Sequence, residues 1–159
     1  MNALRFDGKV VAITGAAQGV GRGYALAFAR RGAKVVVNDL AEEALDALVH
    51  QVGDEGGDAI PHRTSIASAE GGESLTRAAL EQWGRIDALI HNAGILRDST
   101  FAKLAPEQLD AVMAVHLLGS FYTAQPAEKV RSDCTACADA PWMNLVPFWE
   151  STSGRAVRQ

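Results

Sequence analysis

The sequence predicts an α/β fold, a doubly wound parallel sheet with helices on both faces. Three observations carry this expectation. Short runs rich in Val and Ile alternate with longer stretches whose apolar residues recur at helical spacing. Each connection is long enough for the crossover helix that consecutive parallel strands require. A cluster of glycines separates the first apolar run from the first helical stretch.

Residues 9–14 (KVVAIT) form a continuous β-branched run suited to a strand buried on both faces. Residues 15–21 are the glycine-rich turn, and 22–31 (RGYALAFARR) a helix ending at Gly32. Residues 34–38 (KVVVN) read as a second buried strand closed by Asp39, and 41–52 as a helix with Leu45, Leu48 and Val49 on one stripe. Residues 59–62 give a weak third strand, 73–83 a helix stopped by Gly84, and 86–91 (IDALIH) a fourth strand running into Asn92-Ala93-Gly94. Residues 106–118 predict a long helix with Leu109, Val112, Met113 and Leu117 at helical spacing. From 126 onward three prolines and two tryptophans, Trp142 and Trp149, fall in irregular order. The domain is therefore read as 1–125 and 126–159 as a divergent tail. A strand over 143–146 is tightly bracketed by Pro141 and Pro147. The sheet is expected to stop after about the fourth or fifth strand, with the tryptophan segment covering part of the exposed edge.

Composition narrows the function classes. With 48% hydrophobic and 21% charged residues the chain has the balance of a soluble globular domain. A net charge of -4 without a basic stripe argues against nucleic acid as a partner. No apolar run is long enough to span a bilayer, and the opening MNALRFDGKVVAITG lacks the apolar core of a signal peptide. The expectation is a cytoplasmic protein with no membrane partner. Cys134 and Cys137 form a lone CxxC with no second pair, and read as incidental thiols rather than a metal or redox site.

Strand, glycine turn and helix in immediate succession suit the pyrophosphate of a dinucleotide cofactor. Gly15 permits a sharp exit from the strand, and Gly19 and Gly21 keep side chains out of the path of the pyrophosphate. The unpaired amides that open the helix then face that anion. Thr14 steadies the turn through its hydroxyl, and Gln18 and Val20 complete it. Asp39 can accept hydrogen bonds from both hydroxyls of an adenine ribose and repels a 2′-phosphate, which selects NAD over NADP. Glu42 and Glu43 add to that repulsion. Asn92, Ala93 and Gly94 leave room where the cofactor backbone would pass. The plainer alternatives are a tight turn packed for its own sake and a solvent-facing Asp closing a strand.

Taken together these residues resemble the short-chain dehydrogenase/reductase family, which has the Rossmann fold. Its TGxxxGxG is complete as Thr14, Gly15, Gly19 and Gly21, its acidic NAD-selecting position matches Asp39, and its NAG matches Asn92, Ala93 and Gly94. Stretches 5–40, 84–101 and 109–121 are most similar to the (3R)-hydroxyacyl-CoA dehydrogenase part of peroxisomal multifunctional enzyme type 2 and its bacterial relatives. The resemblance implies hydride transfer between NAD and a secondary alcohol or ketone, with 3-hydroxyacyl-CoA as the suggested substrate and a homo-oligomer as the assembly.

The chain also departs from the family pattern. His91 stands first where the family has NNAG, and Thr64-Ser65 replace a short acidic motif that contacts adenine, leaving Ser65 and Ile66 as lining. His116 takes the place of a catalytic Asn and is the chain's one catalytic candidate, since an imidazole can move protons near neutral pH. Nothing after the 106–118 helix matches the family's catalytic Ser or YxxxK. The tyrosines are Tyr24 and Tyr122, and neither is followed by Lys four positions on. A phenol with a pKa of about 10 must be tuned before it can shuttle a proton near neutrality. The isolated chain is thus expected to hold NAD(H) but to be inactive, the alternative being a non-catalytic NAD-binding or interaction module.

Overall fold

The first β-branched run forms the middle of the sheet. In the computed structural model, which describes residues 4–133 and 144–145, β1 (Val10–Thr14) is buried along its whole length. It pairs in parallel with β2 (Lys34–Asn38) on one side and β4 (Ala88–Ile90) on the other. β3 (Asp58–His62) flanks β2, and the two-residue β5 (Asn144–Leu145) flanks β4, giving the order β3-β2-β1-β4-β5. Side chains alternate across the pleat, so the continuous apolar runs supply two cores. Val11, Ile13, Val35, Val37 and Ile90 pack with Ala25 and Ala29 of α1 (Gly19–Ala29) and with Leu45, Leu48 and Val52 of α2 (Glu42–Asp54). Val10, Ala12, Val36 and Leu89 meet Leu75 and Ala79 of α3 (Ala69–Trp83) on the other face. Ala127 joins that second core from a long helical segment, built of α4 (Pro106–Met113), a π-helical turn (Ala114–Leu118) and α5 (Gly119–Asp133).

Three helices differ from the sequence expectation, each for a local reason. The helix expected over 22–31 begins earlier, at Gly19, because its glycines open the helix instead of preceding it. The helix expected over 73–83 begins at Ala69, where the Ser68 side chain accepts from the Gly71 amide at 3.2 Å. Gly71 and Gly72 lie inside that helix and are required by close contacts. A Cβ on Gly71 would come 1.8 Å from the Ser65 carbonyl oxygen, and one on Gly72 would come 2.4 Å from that of Tyr122. The helix expected to end at 118 continues to Asp133 across Pro126. Proline lacks the N–H that would bond the carbonyl four residues earlier. That carbonyl belongs to Tyr122, and the freed oxygen is the one that faces Gly72.

The boundary expected at 125/126 therefore falls within α5. Of the strand weighed over 143–146, Asn144 and Leu145 pair with Leu89 and Ile90. Cys134, Cys137, Trp142 and Trp149 lie outside the described residues. Among the described residues no helix is long and apolar enough to cross a membrane, and no cluster of His, Cys, Asp and Glu could hold a metal ion.

At the amino end of the sheet, Asp87 joins β1 to the start of β4. Its nearly buried carboxylate accepts from the Val10 amide at 2.9 Å and from Lys9 at 3.2 Å, and pairs with Arg85. Burial alone would push this carboxyl up. Arg85, the Val10 amide and Lys9 more than offset it and hold the group below the usual carboxylate range.

Candidate functional site

The segments that follow β1, β2 and β4 leave the carboxyl end of the sheet side by side and are tied together by hydrogen bonds. Thr14, fully buried, accepts at Oγ1 from the amides of Asn92 and Ala93, both at 3.0 Å. Asn92 returns a bond from Nδ2 to the Gly15 carbonyl at 2.9 Å. On the other side the Ala16 amide donates to the Asn38 carbonyl at 2.9 Å, and the Ala17 amide to Asp39 Oδ2 at 3.0 Å. Thr14 thus steadies the turn after β4 as well as its own.

The three glycines serve three purposes. Gly15 has φ 63°, and a Cβ on it would lie 2.8 Å from Ala93 Cα, so the turns after β1 and β4 could not approach this closely with a side chain here. Gly19 has φ 56°, and its missing Cβ would project into open space. On Gly21 a Cβ would lie 2.0 Å from the Gly15 carbonyl oxygen and 2.6 Å from Asn92 Nδ2. Gly21 lets α1 close onto the turn, a packing reason the sequence reading did not include. At the start of α1 the Gln18 side chain makes no capping bond, and no acidic residue lies in the first turn. The opening amides and the positive end of the helix dipole are left for an external anion.

A cleft of about 450 Å³ opens along these segments, within the usual range for a small-molecule site. Gly15, Gln18, Asp39, Ser65, Asn92, Ala93 and Gly94 border it, as does Ile66. Thr14 and Gly21 are buried, while Gly19 and Val20 are exposed on the opening turn of α1. Sequence reasoning missed five lining residues, Asn38, Leu40, Thr64, Ile95 and Val115. Only Asn38 carried a signal, as the one polar residue ending an apolar strand.

Asp39 is more occupied than its sequence position suggests. Besides Ala17, its carboxylate accepts from the Leu40 amide at 2.8 Å and the Ala41 amide at 3.1 Å. It thereby serves the start of α2, whose own N-cap residue, Ala41, supplies no side-chain bond. Three of the carboxylate's roughly four lone-pair directions are used. That leaves room for about one ribose hydroxyl rather than two.

His116 lies in the π-helical turn, a feature frequent at functional sites. Its Nε2 is 3.0 Å from both the amide nitrogen and the carbonyl oxygen of Ile95, so either protonation state of Nε2 finds a partner. The ring presses on Gly94, where a Cβ would come 2.6 Å from Cε1. The imidazole is thus engaged in holding the loop after β4. His91, next to that loop, is only 5% exposed, and neither ring nitrogen has a hydrogen-bond partner among the described residues. Burial, and then the neighbouring His116, push its pKa down to about 4. The nearby Val115 backbone offsets this only in part and completes no hydrogen bond.

This glycine turn, sheet order and helix arrangement define a nucleotide-cofactor domain of the Rossmann type. The family model for short chain dehydrogenases matches residues 9–130, and the chain belongs to that family. Over 133 residues, 78% of the chain, it is 46% identical to mouse peroxisomal multifunctional enzyme type 2, of which it covers 18%. It is 37% identical over 122 residues to a Thermotoga maritima 3-oxoacyl-(acyl-carrier-protein) reductase, of which it covers 50%. A short chain dehydrogenase structure from Mycobacterium avium superposes with a TM-score of 0.80 at 36% identity, over 87% of this chain and 52% of that one. A family member from Burkholderia phymatum, solved in complex with NAD, gives a TM-score of 0.77 at 30% identity, over 80% of this chain and 46% of that one. The chain thus spans about half or less of the length of these relatives.

Proposed function

We propose that this chain is the cofactor-holding part of an NAD-linked oxidoreductase acting on a secondary alcohol or ketone. The observation that carries the proposal is the convergence of Gly15, Asp39 and Asn92 on one cleft beside the uncapped start of α1. The open space in front of Gly19 suits a pyrophosphate approaching the opening amides, and Asp39 at the far side suits an adenine ribose. When bound, the cofactor would exchange a hydride with the substrate carbon. Thr14, Asn92 and His116 hold the turns that shape its pocket. The name of the Thermotoga relative, a 3-oxoacyl-(acyl-carrier-protein) reductase, supports an acyl thioester carrying a 3-oxo or 3-hydroxy group as the substrate class.

Asp39, with Glu42 and Glu43 in the first turn of α2, favours NAD over its 2′-phosphorylated form. A homo-oligomer is part of the proposal. Leu109, Met113, Leu117 and Phe121 recur every fourth residue along the α4–α5 segment and are 42–56% exposed. By itself the chain is proposed to bind NAD without turnover, because Tyr24 and Tyr122 both lack a Lys four positions on. Calorimetric titration with NAD, beside an NAD-reduction assay on 3-hydroxyacyl-CoA, tests both parts. Binding without turnover is expected. Turnover matching a full-length relative would refute the inactivity, and no binding would refute the cofactor assignment.

A further inference from the structure

Beside the cleft, β2, β3 and α3 are joined by a chain of side chains that the cofactor proposal does not use. Asn38, 3% exposed, ends β2 and lines the cleft. Its Nδ2 lies 3.0 Å from the His62 carbonyl oxygen, 2.9 Å from the Thr64 carbonyl oxygen and 3.0 Å from His62 Nδ1. Two carbonyl acceptors fix the amide's orientation and take its two N–H bonds, so toward the imidazole the NH₂ can share one of them but cannot accept. At the other end of the ring, Nε2 is 2.9 Å from Ser74 Oγ. That hydroxyl donates to the Gly71 carbonyl at 2.8 Å, so it must accept from the ring. Both ends therefore specify a neutral imidazole with its proton on Nε2.

We propose that His62 is a positioning residue for the cofactor. With Nδ1 unprotonated, the ring accommodates the Asn38 NH₂ that holds the Thr64 carbonyl, and with it the Thr64–Ile66 wall of the cleft. The proposal rests on the NAD assignment above and adds to it the control of one wall of the pocket. A second proton on Nδ1 would face the Asn38 NH₂, donor against donor. Turning the amide over would set its oxygen against two carbonyl oxygens. Protonation therefore opposes the present placement of the amide, and with it the link to Thr64. Burial lowers the His62 pKa in the same sense. Charged groups on the surrounding elements include Asp39 beyond β2, Arg63 paired with Asp46 of α2, and Glu70, Glu73 and Arg77 of α3.

The test is NAD titration of the full chain at pH 7.5 and pH 5.5, for the unmodified protein and three variants, with imidazole ¹⁵N spectra recorded in parallel. His62→Phe removes both ring contacts and is expected to weaken NAD about tenfold at pH 7.5, one net hydrogen bond's worth of preorganisation. His62→Asn can keep an acceptor toward Asn38 and is expected to stay within about threefold, with a smaller loss at pH 5.5 than the unmodified chain. Ser74→Ala is expected to leave folding intact and to mix the two ring tautomers in the ¹⁵N spectrum. Unchanged affinity in folded His62→Phe would overturn the proposal, as would a ring whose proton sits on Nδ1 in the unmodified chain. Should the unmodified chain bind no NAD, the cofactor assignment fails and the positioning role fails with it. An Nε2–H spectrum would then show the side-chain network alone to be right.

Discussion

Gly21 and Gly19 occupy the same turn, yet substitution should damage different properties. In Gly21→Ala the new methyl would have to fit where the Gly15 carbonyl oxygen is 2.0 Å away and Asn92 Nδ2 2.6 Å away. The first is backbone and cannot rotate aside, so α1 must lift from the turn. Overpacking of this kind costs about 3 kcal/mol. For a chain of this size that corresponds to a fall in Tm of roughly 6–12 °C. In Gly19→Ala the methyl meets nothing, and the cost is the left-handed backbone at φ 56°. That amounts to about 1–2 kcal/mol, reduced by a few tenths through lower unfolded-state entropy. The same methyl projects into the space in front of the opening amides, so NAD affinity should fall at least about tenfold. Urea denaturation and NAD titration of both variants separate the two effects. Gly21→Ala with parental stability but lost binding would refute the packing role assigned here. Unaltered NAD affinity in Gly19→Ala would refute the placement of the anion.

Acid should destabilise the fold through His91. Its folded-state pKa of about 4 lies below the ordinary value of 6.5, so the unfolded chain binds the extra proton more readily between those values. Stability is then full above pH 6.5 and falls as pH drops towards 4, by about 2 kcal/mol at pH 5. His91→Asn should flatten that slope in urea titrations at pH 7.5 and 5. Asp87→Ala should cost about 2–3 kcal/mol, because it strands the buried Val10 amide and removes the carboxylate that Lys9 and Arg85 contact; a loss below 1 kcal/mol in the same assay would contradict its role. Ser68→Ala should cost about 1 kcal/mol through loss of the α3 cap, read as a lower urea midpoint at unchanged slope.

The parts of this fold legible in the sequence are those governed by burial. Val10, Val11, Val35 and Val36 had to be strand because a parallel sheet covered on both faces needs unbroken apolar runs. The glycine turn and Asp39 were legible as a site because a strand, a turn and a helix follow one another without a gap. Features set by contacts distant in sequence were not. Gly71 and Gly72 fall outside the helix expected over 73–83, since their partners Ser65 and Tyr122 cannot be inferred from local propensity. The helix expected to end at 118 leaves Pro126 in an irregular tail, although α5 tolerates that proline where α3 comes close. Asp39 suggested a ligand for ribose. Its three backbone donors emerge only once β2, the glycine turn and α2 are assembled.

The most direct test of the central claim is calorimetric titration of the full chain with NAD and, separately, with NADP. A single NAD site in the micromolar range is expected, with NADP weaker by about tenfold or more because Asp39, Glu42 and Glu43 oppose the added phosphate. No heat up to millimolar NAD, or equal affinity for the two dinucleotides, would contradict the assignment of this cleft.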